Sequence, residues 1–255
     1  MPVAMKKYFE ITEQTMLAKD IYSMWIKAEE IAAAAVPGQF VSLYCGDRSR
    51  LLPRPISICE IDRQRGLIRL VYRVTGAGTR EFAGWKARDR VEVMGPFGNG
   101  FTLEGSKAIL MGGGIGIPPM LELAGQLNCE KQIVLGYRDI TFLEDEFTPY
   151  GSVHIATEDG SKGTKGNVLD ALREKGLEGD IIFACGPTPM LRGIQAYALE
   201  KGIRCQLSME ERMACGVGAC LACVCKTKEI DHHSNVHNKR ICKDGPVFYG
   251  DEVEL

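Results

Sequence analysis

Apolar positions in the first hundred residues fall in short runs, broken by polar turns and punctuated by glycine and proline. "GQFVSLYC" (38–45) is a β-rich run behind a Pro-Gly turn, and "ISICEIDRQRGLIRLVYRV" (56–74) reads as two strands joined by a polar turn ending at Gly66. "RVEVMG" (90–95) is a further strand, closed by "GPFGNG", and "TREFAGWK" (79–86) is the helix expected here. Strands this short, separated by turn residues, predict a small antiparallel β-barrel.

From about Phe101 the rhythm changes. "KAILMG", "QIVLGYRD", "SVHIATED" and "DIIFACG" are strand-length apolar runs. They alternate with the helical stretches "PPMLELAGQL", entered through Pro118 and Pro119, "GNVLDALREKG" and "TPMLRGIQAYALEKG". That alternation predicts an α/β unit with an open, doubly wound parallel sheet. The residues beyond Leu207 keep neither period. The expected division is therefore a β-barrel domain over 1–100, an α/β nucleotide-binding domain over 101–208 and a small C-terminal module over 209–255.

Composition narrows the class. Hydrophobic residues make up 45% of the 255 and charged residues 25%, enough for a well-cored globular protein. A net charge of -2 supplies no electrostatic footprint for nucleic acid. "MPVAMKKYFEITEQ" has no apolar run behind its lysines, so no signal peptide is expected. The glycines and prolines of "AILMGGGIGIPPMLELAG" break any single membrane span, and the expected location is cytoplasmic.

Ten cysteines in such a chain argue against a disulfide scaffold, because the cytosol keeps thiols reduced. Cys45, Cys59, Cys129 and Cys205 are scattered and read as small buried hydrophobes. "MACGVGACLACVCKTK" (213–228) is different: four cysteines stand within eleven residues, and Cys242 follows in "RICKDGPVF". The spacing Cys215-x4-Cys220-x2-Cys223, with Cys242 eighteen residues on, is the plant-type ferredoxin arrangement that holds a 2Fe–2S cluster. Gly216, Gly218, Ala214, Ala219 and Ala222 keep side chains away from an inorganic core, so their N–H groups can point at sulfur. Cys225 is an alternative fourth ligand; Cys242 is preferred because plant-type sites draw their last sulfur from a distant segment. A competing structural zinc would use Cys220, Cys223, His233 and His237, and would leave Cys215 and Cys242 unexplained.

Two further stretches point to nucleotides. In "RPISI" (54–58), Arg54 offers a guanidinium for a pyrophosphate and Ser57 a hydroxyl for a flavin edge, with Pro55 fixing the backbone and Ile56 between. "LVYRV" adds Val71, Tyr72 as an aromatic platform and Arg73 as a second cation. "GAGT" adds Gly78 and Thr79 at the start of a helix. Alone each is a structural strand or turn; in this order within 26 residues they make a flavin cradle. "GGGIGIPP" (112–119) lies between strand and helix, with Gly112, Gly113, Gly114 and Gly116 free of side chains, yet it does not satisfy the Rossmann fingerprint. "ACGPTPM" (184–190) also ends a strand and opens a helix. In an open α/β sheet both turns meet at one crevice, where Cys185 and Gly186 would lie beside a nicotinamide.

With RPxS, GPFG, GGGIGIPP and CGP in order, the chain resembles the ferredoxin–NADP reductase superfamily along nearly its whole length. "CGVGACLACVC…CKDGPVF" resembles, more narrowly, the iron–sulfur subunits of type B dihydroorotate dehydrogenases. The resemblance implies FAD on Arg54 to Ser57, Val71 to Arg73, and Gly78 with Thr79, and a 2Fe–2S cluster on Cys215, Cys220, Cys223 and Cys242. It implies an electron relay with NAD as acceptor and an FMN-containing dihydroorotate dehydrogenase catalytic subunit as partner, two of each in a heterotetramer. The pyrimidine chemistry would then stay on the partner, with no catalytic residue on this chain. Asp139, Glu144 and Asp145 would repel a 2′-phosphate, which favours NAD over NADP, although Arg138 acts the other way. The rival readings are a related subunit of a hydrogenase or ferredoxin-linked transhydrogenase, and a non-catalytic, zinc-stapled nucleotide-binding module.

Overall fold

The computed structural model describes residues 6–230 and 235–255. Strands β1 (Lys7–Ala18), β2 (Ile21–Lys27), β3 (Phe40–Tyr44), β4 (Arg54–Asp62), β5 (Leu67–Arg73) and β6 (Arg90–Phe97) close into an antiparallel barrel in the order β1-β2-β5-β4-β3-β6. Helix α1 (Glu29–Ala34) follows β2, and α2 (Ala77–Ala83) follows β5. Alternation sets the two faces of each strand. On β3, Val41 and Leu43 enter the barrel core with Ile58, Ile68, Leu70 and Phe82, while Phe40 and Ser42 face outward. The expected helix begins two residues earlier than its sequence suggests, because the Thr79 hydroxyl turns back to accept the N–H groups of Thr75 and Gly76 at 2.9 and 3.2 Å.

The second unit runs β7 (Lys107–Gly113), α3 (Pro118–Gln126), β8 (Glu130–Tyr137), α4 (Glu144–Phe147), β9 (Ser152–Thr157), β10 (Thr164–Lys165), α5 (Val168–Glu174), β11 (Ile181–Cys185), α6 (Thr188–Lys201) and β12 (Arg204–Ser208). The tail adds β13 (Val224–Thr227), β14 (Asn238–Arg240), α7 (Ile241–Asp244), β15 (Val247–Tyr249) and β16 (Val253–Glu254). One sheet has the order β10-β9-β8-β7-β11-β12-β15. Its neighbours pair in parallel except at β15, which runs antiparallel to β12. Both faces are covered, as a parallel sheet requires. On β7, Ala108 and Leu110 pack against α3, whereas Ile109 and Met111 pack against α5 and α6. Each fully buried aliphatic side chain there contributes about 1.5–3 kcal/mol.

The tail residues form a three-stranded antiparallel sheet, β14-β13-β16. Asn99, in the glycine-rich loop after β6, fastens this module: its side chain donates to the carbonyls of Asp244 and Val247 at 3.1 and 3.0 Å and accepts the Val247 N–H at 3.2 Å. The barrel meets the large sheet through Cys59 and Val71, which join the α3-side core, and through Arg69, which reaches Glu146 of α4. Among the described residues, no helix is long and apolar enough to cross a membrane.

Candidate functional site

Arg54 and Ser57 share one strand but, three residues apart, leave it on opposite faces. Arg54 lies at the barrel mouth against the first turn of α2, where a Cβ on Gly78 would occupy the space of its guanidinium. The guanidinium also donates to the Leu52 carbonyl. Pro55 and Ser57 face outward; Ser57 is registered with Phe40, Ile56 with Val41 and Pro55 with Ser42. Val71 is buried against the α3-side core, and Arg73 is exposed at the strand end.

Tyr72 sits elsewhere. Its ring is 1% exposed inside the barrel, stacked on Tyr22 with centroids 6.0 Å apart and edge-on to Phe82, and its hydroxyl donates to Gln14 at 3.3 Å. Burial pushes that phenol above its ordinary range. The structure therefore presents no Tyr72 face as a platform. The Thr79 hydroxyl is likewise engaged in its own turn, which leaves Arg54 and the glycine backbone as the groups open at the mouth.

The two glycine-containing turns meet as expected. Cys185 is registered with Gly112 at the ends of β11 and β7, the point where the strand order reverses. A Cβ on Gly116 would overlap the carbonyl of Cys185, so there backbone approaches backbone with no side chain between, and one on Gly113 would overlap the Met190 sulfur. Gly114 has open space where a side chain would be and φ of +53°. Burial pushes the Cys185 thiol up to about 12, against an opposing hydrogen bond with Ser208, so it is held neutral. Of the acidic residues after β8, Glu144 is engaged by Lys162 at 2.6 Å, while Asp139 remains exposed.

Four cysteines come together in the tail as two pairs. Cys215 lies beside Cys220, and Cys223 beside Cys242, whose own thiol also feels the charge of Cys215. Cys215 Sγ accepts the N–H groups of Val217 and Ala219 at 3.4 and 3.3 Å, and Cys223 Sγ accepts that of Cys242 at 3.4 Å. Burial raises the Cys215 thiol, but the N–H groups of Val217, Cys220 and Ala219, with the Cys220 thiol, outweigh it and bring it down to about 6, the thiolate state a metal ligand needs. Gly216 and Gly218, at φ of +70° and +84°, make the turns that aim the amides.

Among the described residues no three His, Cys, Asp or Glu groups converge on a single ion. Two cysteine pairs match the two protein ligands that each iron of a 2Fe–2S core takes. Cys225 is spent in strand pairing: its thiol donates to the Lys239 carbonyl at 3.5 Å. His233 of the zinc reading lies outside the described residues.

Sequence reasoning missed the seam between these groups. Phe40, outward on β3, joins Cys223, Cys242, Ile241 and Phe248 in one buried cluster. Gly216 lies directly over Ser42, where a Cβ would stand 3.0 Å from the hydroxyl oxygen. The cysteine loop thus rests on the same outer barrel face that carries Pro55 and Ser57. The only trace in sequence is the alternation of "FVSLY", which puts Phe40 and Ser42 on one side. The residues fit both groups: a guanidinium-filled cradle that a Cβ would close, and two cysteine pairs in each of which one sulfur accepts backbone amides.

The comparisons agree with this geometry. Residues 210–254 match the family model for the iron–sulfur cluster binding domain of dihydroorotate dehydrogenase B. The chain is 42% identical, over 96% of its length and 97% of the relative's, to the dihydroorotate dehydrogenase B (NAD+) electron transfer subunit of Fusobacterium nucleatum subsp. nucleatum. It is equally identical, with the same coverage, to that of Bacillus caldolyticus. Among solved structures, a chain of the NADH-dependent reduced ferredoxin–NADP oxidoreductase, studied for flavin-based electron bifurcation, superimposes with a TM-score of 0.86 at 30% identity, covering all of this chain and 90% of that one.

Proposed function

The chain belongs to the electron transfer subunits of NAD+-linked dihydroorotate dehydrogenase B, and we infer that it carries electrons from a partner catalytic subunit through a 2Fe–2S cluster and FAD to NAD, in pyrimidine biosynthesis. The observation that carries this reading is the contact of the cysteine loop with the outer face of β3, the strand paired with the β4 residues Arg54 to Ser57. Bound FAD exchanges hydride with a nicotinamide and single electrons with a 2Fe–2S cluster, so it belongs between them.

The chain's own residues bind and orient. Arg54 neutralises the pyrophosphate at the barrel mouth, with the backbone of Gly78 and Thr79 beside it and Arg73 as a second cation. Pro55, Ile56 and Ser57 with the backbone of Val71 and Tyr72 line the flavin on the way to the outer face. Gly112, Gly113, Gly114 and Gly116 let the nicotinamide dinucleotide approach the backbone at the strand-order reversal, and Cys185 and Gly186 close the other side as neutral groups. Cys215 and Cys220 hold one iron, Cys223 and Cys242 the other. Phe40, Ile241 and Phe248 exclude water from the space behind them.

The division into a flavin barrel (1–100), a nucleotide domain (101–208) and an iron–sulfur module (209–255) follows the same reading, with β15 lent back to the large sheet. The catalytic partner carries FMN and assembles with this chain two by two. It docks over the exposed Cys220, beside exposed Val217 and Leu221, and the complex works in the cytoplasm. The transhydrogenase rival shares the fold, but at 30% identity against 42% the curated relatives favour dihydroorotate chemistry on the partner.

The test is anaerobic coexpression with a dihydroorotate dehydrogenase catalytic subunit. The expected complex is coloured, contains two irons and one FAD for each copy of this chain, and forms NADH from dihydroorotate and NAD. A complex without iron or without FAD would overturn the cofactor assignment. A fully loaded one indifferent to dihydroorotate would move the chain to the ferredoxin-linked class.

A further inference from the structure

Ser42 is 1% exposed, and its hydroxyl has no hydrogen-bond partner among the described residues. Buried hydroxyls are seldom left so, and one that is points to an acceptor that arrives later. Its place says which. On β3 the side chains of Val41 and Leu43 fill the barrel, so Ser42 projects from the outer face, registered with Pro55 of β4 on one side and Met94 of β6 on the other. Above it lies Gly216, next in sequence to Cys215. The neighbours on that face, Phe40 and Phe97, are apolar and pack against the cysteine module.

A hydroxyl in this position is a donor for anionic sulfur, which accepts and does not donate. The backbone amides of Val217 and Ala219 already serve Cys215 from within the loop; Ser42 meets that loop at Gly216, from the barrel. Resting on the cluster reading given above, we propose that Ser42 is a positioning residue of the electron path, its hydroxyl donating a hydrogen bond to a sulfur of the cluster held by the 215–223 loop. Such a bond strengthens when the cluster gains an electron. It favours the reduced state and raises the reduction potential. It also locks the cluster loop to the strand next to the flavin. Gly216 is required for this contact, since any side chain there would press on the hydroxyl from a backbone conformation that favours glycine.

The experiment compares wild type with Ser42→Ala, Ser42→Thr and Ser42→Val, each purified anaerobically with the partner subunit. In EPR-monitored potentiometry the cluster of Ser42→Ala is expected to reduce at a lower potential than wild type, and that of Ser42→Thr close to it. The iron–sulfur stretching bands in resonance Raman should shift between H2O and D2O for wild type and Ser42→Thr and lose the hydroxyl's share in Ser42→Ala. Flavin absorbance and potential should stay unchanged. An unaltered cluster potential and isotope shift in Ser42→Ala would overturn the proposal, and so would a change confined to the flavin.

If Ser42→Ala fails to hold iron, the isosteric pair decides: loading by Thr but not Val supports the bond, and equal behaviour of the two overturns it. Cluster-free protein gives an independent reading. There the hydroxyl is unpaired, so Ser42→Ala should be at least as stable as wild type in urea, and a less stable variant counts against the proposal. Wild-type protein without iron would sink the cluster reading itself, whereas a loaded wild type with indifferent variants would sink only the role of Ser42.

Discussion

Arg69 of the barrel and Glu146 of α4 in the α/β unit form a two-pronged ion pair across the boundary between the units, Nη1 to Oε2 and Nη2 to Oε1, the latter at 3.1 Å. The guanidinium is nearly buried and also donates to Glu60 at 2.5 Å and to Ser23 at 2.8 Å. Two carboxylates and a hydroxyl therefore depend on one cation. Removing it leaves like charges facing each other and a hydroxyl unpaired, whereas removing Glu146 leaves the Glu60 pair intact. Arg69→Met should lower stability by about 3–5 kcal/mol and Glu146→Gln by about 1 kcal/mol. Urea denaturation of the flavin-loaded protein checks both. Equal losses would show that Glu60 contributes nothing.

The cradle at the barrel mouth predicts two routes to one outcome. Arg54→Ala removes a charged donor, worth about 1.5–3 kcal/mol, so FAD should bind roughly ten- to a hundredfold more weakly. Gly78→Ala keeps the charge but puts a methyl where the guanidinium lies. It should weaken FAD through displacement of Arg54, and the double variant should be little worse than either single one. Flavin released on gel filtration, measured by fluorescence, checks this. Additive losses would mean that the two positions act separately.

Cys225 and Cys242 are separated by what their sulfurs do. Cys242 meets Cys223 through both its N–H and its thiol, while Cys225 gives its thiol to the Lys239 carbonyl. Cys242→Ser should lose most of its iron and Cys225→Ser should keep it. FAD should remain bound in both, since neither touches the barrel mouth. Iron and acid-labile sulfide analysis on anaerobic preparations settles the fourth ligand, and iron loss in Cys225→Ser would reverse the assignment.

How far the sequence carried the site depended on whether the signal was local. Cys215, Cys220 and Cys223 were legible because a cluster loop needs its sulfurs at fixed short spacings and its turns free of side chains. The strand–turn–helix at Gly112–Pro119 was legible for a similar reason. β1 escaped because half of its residues are exposed and only Ile11 is buried, so little apolar alternation marks it. β15 escaped because it is three residues long and finds β12 about forty residues earlier in the chain. Tyr72 suggests a platform in sequence, yet it faces the barrel core. The run "LVYRV" has no apolar–polar alternation to mark an inner face, because β5 is buried on both faces up to Arg73. Ser42 could not be found at all, since its significance lies in a contact with Gly216 that only the folded chain makes.

Gly116 gives a prediction on the nucleotide side. It approaches the Cys185–Gly186 peptide so closely that a Cβ would overlap the Cys185 carbonyl. Gly116→Ala should push the turn away from β11 and narrow the crevice for the nicotinamide. The expected result is a KM for NADH raised about tenfold, equivalent to about 1.4 kcal/mol, with iron and FAD contents unchanged. NADH-driven reduction of a dye acceptor measures it without the partner. A variant with unaltered KM would place the dinucleotide elsewhere.

The last prediction concerns pH. Glu122 of α3 lies under the barrel, its Oε2 accepting the Ile61 N–H at 2.7 Å and its Oε1 the Gln126 amide at 2.5 Å, with Arg63 at 4.0 Å and Glu60 nearby. Burial raises its carboxyl above the ordinary 4.5, and the hydrogen bonds and Arg63 offset this only in part. The native protein therefore holds this proton to a higher pH than the unfolded chain does. Between 4.5 and the raised native value, the folded state binds more protons than the unfolded one, so this group's contribution to stability falls as pH rises and is level above that window. Glu122→Gln keeps an acceptor for Ile61 and carries no charge to bury. Its stability relative to wild type should therefore increase as pH rises through the window and then hold constant. Urea titrations of both proteins across a pH series give the difference directly. A difference that shrinks with rising pH would mean that the carboxylate is stabilised in its charged form, and that the hydrogen bonds outweigh burial.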